Sequence, residues 1–185
     1  MRRPYRSMVS RLPYIVTALF VVALDQAVKA VVAAQLAPYG SVSLIPGLFD
    51  LTFVKNPGGV FGMFKNLDDS IRGPLFTVVP VIAVGLIILF AWKVPASHRL
   101  TQSALALILG GAIGNLIDRF NLGYVIDFFD VYWRGHHWPA FNVADSAICI
   151  GVGILMLETF LAPDRAPAPS GSRAADGGGA PEEAP

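Results

Sequence analysis

Charged residues are scarce in this sequence. Asp, Glu, Lys and Arg make up only 15% of its 185 residues, whereas 54% are hydrophobic, and the mean hydropathy is +0.57. A soluble domain carries roughly 25% charge, so a plain soluble globule and a disordered chain are both excluded. A net charge of +1 gives no basic surface for nucleic acid. A membrane domain remains, and this length favours a single one.

Cysteine is nearly absent as well. Cys149 is the sole cysteine, so an intramolecular disulfide and a multi-cysteine metal site are both excluded. His136 and His137 are adjacent, but no further ligand lies at a spacing that suits zinc. An interfacial loop anchored by Trp138 is the favoured interpretation of this segment. We therefore expect no metal and no cofactor.

Long apolar runs are what the sequence has instead. A bilayer core of roughly 30 Å requires about 20 apolar helical residues, and four runs approach that length, at about residues 12–35, 74–92, 100–119 and 142–161. We expect a membrane all-α fold of four transmembrane helices, with an extracytoplasmic β-rich loop region between the first and second. Residues 1–162 would form this membrane domain. Residues 163–185, rich in Pro, Ala and Gly, would form a disordered cytoplasmic tail.

The distribution of Lys and Arg predicts the orientation, because cytoplasmic loops retain these residues. Eight Lys and Arg residues lie on the side of the predicted membrane that holds both termini, and five lie on the other side. The four arginines within residues 1–11 are the strongest part of this evidence, because they come directly before the first run. Both termini are therefore expected in the cytoplasm and both long loops outside. A cleaved signal peptide does not fit the first run, which is longer than an h-region of about 7 to 15 residues and contains Asp25 and Lys29.

Polar residues recur at one depth of the predicted helices. Charged groups in the membrane cost about 2.5 to 3.5 kcal/mol each on insertion scales and usually mark function. Asp25 and Lys29 lie about 20 and 26 Å along the first helix, in its outer third. The polar residues at the outer ends of the third and fourth helices are Asn115, Asp118, Arg119, Asn142 and Asp145. Their i,i+3 and i,i+4 spacings place each set on one helix face, which predicts a site near the outer membrane face.

A second carboxylate accompanies Asp145. Asp127 lies 18 residues before it, in the apolar, β-prone run from Tyr124 to Asp130. Two carboxylates held close together at low dielectric cannot both ionise, so one keeps a proton while the other accepts one from a bridging water. This is the chemistry of an aspartic peptidase. Ser146 has no neighbouring base, so a nucleophilic role for it is disfavoured.

Several of these residues have plainer interpretations. Asp25 and Lys29 could simply pair with each other to lower the cost of insertion, which is the role we favour. Arg119 could be a snorkelling anchor or part of the site, and the sequence leaves both open. Asp118 and Asp130 are interpreted as solvated or interfacial acids and not as catalysts.

The remaining candidates have structural interpretations. Cys149 is expected to be a small apolar packing residue and Glu158 an interfacial one. Gly110 and Gly114 form a small-xxx-small pair, which predicts close helix packing.

The segment from Asn56 to Gly62 is predicted to be a turn between two β-prone runs, residues 42–54 and 60–64. A plain hairpin would explain this pattern. Asn56, however, presents a short amide on a rigid Pro-Gly turn, in the outer loop that must cover the polar cluster. It is therefore a candidate site residue.

Five segments, taken in order, resemble the lipoprotein signal peptidases, the signal peptidase II family of bacterial inner membranes. They cover most of residues 20–150 and comprise Asp25-Gln26 with Lys29, Asn56 to Gly62, Gly110 to Arg119, Val125 to Phe128 and Phe141 to Asp145. The resemblance implies a membrane aspartic endopeptidase. Its substrate would be a diacylglyceryl-modified prolipoprotein, cleaved just before the lipidated cysteine. One departure is Gly59-Val60, where the family commonly has Ala-Ala.

The same resemblance implies roles for individual residues. Asp127 and Asp145 would form the catalytic dyad. The residues that line or support the substrate site would be Asn56, Asn115, Arg119, Asn142, Asp25, Lys29 and Gly111. The implied partners are prolipoproteins, membrane lipids and inhibitors of the globomycin type, and the enzyme is expected to be a monomer in the bacterial inner membrane.

Two other classes of function compete with this reading. Intramembrane Asp, Lys and Arg also mark transport paths, so a small proton-coupled carrier is one alternative, and a non-catalytic scaffold is another. A carrier needs a polar route to both faces, but the inner halves of the predicted helices lack polar lining, and no inverted repeat is evident. A scaffold would leave the carboxylates of Asp127 and Asp145 without purpose.

Overall fold

The computed structural model describes residues 10–38, 40–58 and 68–161. In these ranges the chain forms four long helices and a four-stranded antiparallel sheet. The helices are α1 (Leu12–Leu36), α2 (Asp69–Lys93), α3 (Arg99–Leu122) and α4 (Val143–Leu161). The strands are β1 (Ser41–Ile45), β2 (Phe49–Asn56), β3 (Val125–Trp133) and β4 (His136–His137). Several predicted segments lie outside the described residues. They are the tail, residues 163–185, the arginines within residues 1–9, the second half of the predicted turn, residues 59–62, and the β-prone run of residues 60–64.

All four helices are long and apolar enough to cross a membrane, which confirms the expected number of spans. Helix α2 begins at Asp69, earlier than the apolar run that predicted it. The reason is a helix cap, because the Asp68 carboxylate accepts a hydrogen bond from the Ser70 N–H at 2.8 Å. Such a cap supplies a partner to an N–H group that the first turn leaves unpaired.

Large apolar side chains cover the outside of the helices. Leu86 on α2 is 61% exposed and Phe160 on α4 is 74% exposed. Exposure of so much apolar surface to water would be costly, whereas lipid accommodates it, so the chain is a multi-pass membrane protein. Cys149 is also exposed on α4. The expectation that it packs in the interior is therefore wrong, because its face of the helix points away from the neighbouring helices.

Helix α3 is at the centre of the bundle and packs against the other three helices. Glycines allow these close approaches. A Cβ atom at Gly110 would lie 2.7 Å from the carbonyl oxygen of Ala18 in α1, and one at Gly111 would overlap the carbonyl oxygen of Ala144 in α4. A Cβ atom at Gly114 would lie 2.7 Å from the Asp25 carboxylate of α1. The predicted packing role of Gly110 and Gly114 is confirmed, since only a residue without a side chain fits these contacts.

The end of α2 is held by a side chain that the sequence did not single out. The Arg11 guanidinium donates hydrogen bonds to the carbonyl oxygens of Ala91 (2.6 Å), Trp92 (3.1 Å) and Val94 (2.9 Å). The last carbonyls of a helix have no partner within it, and Gln102 Nε2 supplies further bonds to Ala91 and Val94. The start of α1, the end of α2 and the start of α3 therefore meet at one end of the bundle.

Strands β1 and β2 form a hairpin within what was predicted to be one β-prone run, residues 42–54. That prediction is wrong in its connectivity. The chain turns at Pro46-Gly47, where Gly47 has a φ of +80° and Leu48 N–H donates to the Ile45 carbonyl at 3.0 Å. Glycine adopts this left-handed conformation without a steric penalty, so the Pro-Gly pair was the signal for the turn.

Strand β3 carries Asp127 and pairs with β2, so that Val54 lies opposite Asp127. The sheet thus combines β1 and β2 from the first long connection with β3 and β4 from the second. The expected β-rich region between the first and second helices is therefore only part of the sheet, which also includes the β-prone run that contains Asp127. A hydrophobic cluster that includes Val32, Phe53 and Phe128 packs the sheet against the end of α1. The strand that holds Asp127 is therefore fixed to the helix that holds Asp25 and Lys29.

Candidate active site

Buried polar side chains gather at the end of the bundle where α1 and α3 end and α4 begins. They are Asp25, Lys29, Asn115, Asp118, Asp127 and Asn142, each at most 6% exposed. In the described part of the chain, every buried side-chain nitrogen and oxygen has a hydrogen-bond partner. The residues predicted to share one depth are thus brought together, and they form a connected network of the kind that fixes side-chain positions.

Asn142 and Asp145 form a reciprocal pair at the start of α4. Asn142 Oδ1 accepts a hydrogen bond from the Asp145 N–H at 2.9 Å, and Asp145 Oδ2 accepts one from the Asn142 N–H at 3.3 Å. This is the geometry of a capping box, in which each side chain pairs a free N–H of the first helical turn. The position of the Asp145 carboxylate is therefore determined by the helix start itself.

Asp127 is held by two amides. Asn56 Nδ2 donates to Asp127 Oδ2 at 2.9 Å, and Asn142 Nδ2 donates to Asp127 Oδ1 at 2.7 Å. Asn56 is fixed in turn, because its Oδ1 accepts a hydrogen bond from the Gly58 N–H at 3.0 Å. The candidate residue of the first long connection thus lies at the site, in direct contact with a carboxylate.

A further amide links the two carboxylates. Asn115 Nδ2 donates to Asp145 Oδ1 at 2.8 Å, while Asn115 Oδ1 accepts hydrogen bonds from Asn142 Nδ2 at 3.1 Å and from Lys29 Nζ at 2.9 Å. Asp127 and Asp145 are therefore joined through Asn142 and Asn115, which lie on different elements of the fold.

Burial raises the pKa of Asp127 from 3.8 to about 7, and the negative charge of Asp145 adds to this effect. The amides of Asn56 and Asn142 and the ammonium of Lys29 act in the opposite direction, since they favour the carboxylate. The shift shows that Asp127 can hold a proton at neutral pH while Asp145 lies close enough to repel its charge. This is the electrostatic condition for a carboxyl pair that shares one proton.

Lys29 has more partners than the sequence suggested. Its ammonium lies 2.7 Å from Asp25 Oδ2 and 2.8 Å from Asp118 Oδ2, so the expectation of a simple Asp25–Lys29 pair was incomplete. Asp118 is only 3% exposed, and the interpretation of it as a solvated acid is wrong. Asp118 follows Asn115 by three residues on the last turns of α3, so the two side chains lie on the same face of the helix. That face points into the interior.

Arg119 lies beside the carboxylates. Its guanidinium is half-buried, donates to the Asn115 carbonyl oxygen at 3.2 Å, and interacts electrostatically with Asp145, Asp127 and Asp118. Of the two interpretations left open by the sequence, this position fits a residue of the site better than an anchor directed at the lipid headgroups.

Three other candidates take no part in the contacts of the two carboxylates. His137 Nδ1 contacts Asp130 at 2.9 Å on the exposed side of the sheet, and Glu158 accepts from Thr101 at the opposite end of α3. Ser146 lies at the edge of the network, where its Oγ donates to the backbone carbonyl of Asn142 at 2.9 Å. Among residues 10–38, 40–58 and 68–161, no group of three His, Cys, Asp or Glu side chains could hold a metal ion.

Gln26 is a member of the network for which the sequence gave no role. Its Nε2 donates to Asp118 Oδ1 at 2.9 Å and to the Gly114 carbonyl oxygen at 3.1 Å. The signals available were its place next to Asp25 on a helix that packs against α3 and its membership of the Asp25-Gln26 segment that carries the family resemblance.

Comparison with known proteins identifies relatives over most of the chain. The family model for signal peptidase (SPase) II matches residues 17–161. The lipoprotein signal peptidase of Geobacter metallireducens is 49% identical over 144 residues, which cover 78% of this chain and 87% of that protein. The lipoprotein signal peptidase of Haemophilus influenzae, strain Rd, is 41% identical over 138 residues, or 74% of this chain and 79% of the relative.

Two solved structures have the same architecture. A bacterial membrane enzyme determined by the in meso method at 2.3 Å resolution is 30% identical and superimposes with a TM-score of 0.73 over 82% of this chain and 90% of its own. A second, at 1.9 Å resolution, is 31% identical, with a TM-score of 0.72 over 82% of this chain and 94% of its own. This chain therefore shares its fold with bacterial membrane enzymes of known structure.

Proposed function

Because the chain belongs to the signal peptidase II family, and is therefore a protease that cleaves signal peptides in lipoprotein maturation, we propose that Asp127 and Asp145 are its catalytic dyad. The observation that carries this proposal is the amide linkage of the two carboxylates through Asn142 and Asn115. Such a linkage holds the carboxyl groups in one geometry without neutralising either. The enzyme would thus be an aspartic endopeptidase.

In the resting dyad we place the shared proton on Asp127, whose pKa is raised to about 7, and the negative charge on Asp145. Asp145 takes a proton from a water, and the water oxygen bonds to the scissile carbonyl carbon. Asp127 gives its proton to the carbonyl oxygen, which produces a neutral gem-diol. General acid and base assistance of this kind contributes roughly 10² to 10⁴ in rate.

Collapse of the gem-diol completes the cycle. Asp127 takes back a proton from one of the two hydroxyl groups, Asp145 donates its proton to the amide nitrogen, and the C–N bond breaks. The products are the signal peptide with a new carboxylic acid end and the mature protein with a free amine. The dyad returns to its starting protonation state, so no metal ion or cofactor is required.

The substrate is proposed to be a prolipoprotein whose cysteine already carries diacylglycerol, cleaved just before that cysteine. Asn56, Asn115, Arg119 and Asn142 would line the substrate site, while Asp25, Lys29 and Gly111 would support it. Burial of the dyad at the end of apolar helices suits such a substrate, because the two acyl chains can remain in the bilayer while the peptide bond reaches the carboxylates. Globomycin-type peptides would compete for the same site.

We place the enzyme in the bacterial inner membrane, with both termini cytoplasmic and the dyad near the outer face. Arg11, Lys93 and Arg99 lie at the end of the bundle opposite the dyad, and cytoplasmic ends retain such residues. The scissile bond of a signal peptide lies at the outer face, where this orientation puts Asp127. Residues 1–162 would form the peptidase domain, acting as a monomer.

A cleavage assay tests the proposal. The purified protein is mixed with a diacylated prolipoprotein and, in parallel, with the same protein lacking the lipid, and the products are separated on a gel. We expect cleavage of the lipidated form only, and its inhibition by globomycin. Equal cleavage of both forms would contradict the proposed substrate class.

A further inference from the structure

Two carboxylates outside the proposed dyad make equivalent contacts to the backbone. Asp118 Oδ2 accepts a hydrogen bond from the Ile126 N–H at 3.0 Å, and Asp25 Oδ1 accepts one from the Ala144 N–H at 2.9 Å. Ile126 directly precedes Asp127, and Ala144 directly precedes Asp145. Each of these carboxylates therefore holds the backbone N–H of the residue directly before one member of the dyad, although the two carboxylates lie on different helices.

One lysine joins the two. Lys29 Nζ lies 2.7 Å from Asp25 Oδ2 and 2.8 Å from Asp118 Oδ2, and its third bond goes to Asn115 Oδ1 at 2.9 Å. An ammonium group has three donors, so all of them are used within the site. The two carboxylates are 0% and 3% exposed and the lysine is 2% exposed, which means that solvent does not weaken these bonds.

We propose that Asp25, Lys29 and Asp118 act together as a positioning clamp that sets the distance between the Asp127 and Asp145 carboxylates. This inference rests on the proposed function, since it assigns the clamp to that dyad. Asp118 fixes the backbone of β3, and Asp25 fixes the start of α4. Lys29 binds the carboxylates of both residues. None of the three touches the reacting atoms. Lys29 also acts on Asp127 through its charge. The effect that the three residues share is geometric, and displacements of about 1 Å can change a rate by about 10²-fold.

Gln26 completes the clamp from the side of α1. Its Nε2 donates to Asp118 Oδ1 at 2.9 Å, which leaves Oδ2 for Ile126 and Lys29. Gln26 is half-buried and uncharged. A change at this residue therefore alters how Asp118 is oriented without altering the charge of the site, which makes it the most informative position for a test.

The alternative is that these charges only compensate one another so that the helices can insert into the membrane. Compensation of charge requires the ion pairs of Lys29. It does not require the hydrogen bonds that the carboxylates accept from the Ile126 and Ala144 N–H groups. The two interpretations therefore predict different rates for two variants that have the same charge, when only one of them can still accept a hydrogen bond from the N–H group.

Asp118→Asn and Asp118→Ala make this comparison. Both remove the same charge, but Asn keeps an oxygen that can accept from the Ile126 N–H, whereas Ala does not. We expect kcat to fall about 10-fold for Asn and about 100-fold for Ala, with KM changed less than twofold, because positioning affects the chemical step. Glu158→Gln is the matched control, since Glu158 contacts α3 through Thr101 at the far end of the bundle, and its kcat should be that of the wild type. Equal kcat values for Asn and Ala would overturn the clamp.

Gln26→Met gives a second test, which keeps the charge of the site constant. We expect a several-fold lower kcat and an alkaline limb of kcat/KM that moves to lower pH, because a looser dyad reduces the repulsion that raises the pKa of Asp127. The charged groups that act on Asp127 are Asp145, Lys29 and Arg119, and all three are retained in this variant. A wild-type kcat and an unmoved limb would contradict the proposal, even if the Asp118 variants fail to fold.

The Asp127→Asn variant distinguishes a failure of the proposed dyad from a failure of the clamp alone. If it stays active, the proposed dyad is wrong, and the clamp is wrong with it. If it is inactive while Gln26→Met has wild-type kcat and pH dependence, the dyad stands and only the clamp is wrong.

Discussion

Asn142 Nδ2 and Asp127 Oδ1 lie 2.7 Å apart, and the same asparagine caps the helix that carries Asp145. A single side chain thus contacts one proposed catalytic carboxylate and fixes the backbone of the other. Since Asn142 is fully buried, water cannot replace the hydrogen bonds that it makes.

Replacement of Asn142 by Ala should therefore affect both activity and stability. We expect at least about a 10²-fold loss of kcat/KM, because Asp127 loses a donor, and a loss of about 0.5 to 2 kcal/mol in the free energy of unfolding, because α4 loses its cap. Thermal unfolding in detergent and a cleavage assay measure the two effects. Asn121→Ala, at an exposed position on α3, is the control. Wild-type turnover of Asn142→Ala would show that the amide does not organise the dyad.

The pH dependence follows from Asp127. Its pKa is raised from 3.8 to about 7, so the shared proton is lost as the pH rises through about 7, and kcat/KM should decline there. The folded form binds this proton more tightly than the unfolded form does. The contribution of Asp127 to stability is therefore fully present below pH about 4 and is lost as the pH rises through about 7.

Melting temperatures and kcat/KM measured between pH 4 and 9 check both statements. In Asp127→Asn this part of the pH dependence of stability should disappear. An alkaline limb of kcat/KM that lies two or more pH units above 7 would be inconsistent with a proton held by Asp127.

Gly111→Ala tests the packing that positions α4. A Cβ at this glycine would overlap the Ala144 carbonyl oxygen, whereas one at Gly153 on α4 has no atom within 4 Å. We expect Gly111→Ala to lower the melting temperature and the activity together, because α4 must move and Asp145 moves with it. Gly153→Ala should be neutral or stabilising, since alanine favours a helix by about 0.5 to 1 kcal/mol over glycine. A Gly111→Ala protein with wild-type activity and melting temperature would show that α3 and α4 can move apart at this contact without loss of activity or stability.

Reporter fusions test the proposed orientation. A reporter that is active only in the periplasm should be silent when it is fused after Leu161 and active when it is inserted at Gly135, in the exposed turn between β3 and β4. Both signals follow from cytoplasmic termini and an outer dyad. The reverse pattern would invert the topology and remove the dyad from the face where signal peptides are cleaved.

The sequence was sufficient for the helices and for the gathering of polar residues, because membrane spans are marked by length and hydropathy and buried charges are rare within them. It placed Asp25, Asn115, Asn142 and Asp145 at one depth, and the structure brings them into one network. Asn56 was a candidate through its turn residues and through the family resemblance. Its contact with Asp127 depends on the pairing of β2 with β3, which links distant parts of the chain.

Residues whose partners are distant in sequence were the ones misjudged. Asp118 looked like a solvated acid at a helix end, and only the packing of α1 against α3 shows that Lys29 and Ile126 enclose it. Gln26 and Arg11 were missed for the same reason, since each binds groups that are far away in the sequence. Gln26 and Gly114 are 88 residues apart, and Arg11 and Ala91 are 80 residues apart. Spacing along a helix predicts which face of the helix a residue lies on. It does not predict which residues of other elements contact that face.

The most direct test of the dyad is the rate of cleavage of a diacylated prolipoprotein by Asp127→Asn, Asp145→Asn and the double variant. Asparagine keeps the size of the side chain but cannot exchange the proton. We expect each single variant to lose about 10⁴-fold or more in kcat, at the upper end of general acid and base catalysis, and the double variant to be hardly worse, because the two carboxyl groups act as one unit. Asp130→Asn, whose carboxylate contacts His137 on the exposed side of the sheet, should keep near wild-type activity. A folded Asp145→Asn protein that cleaves at a near wild-type rate would contradict the mechanism.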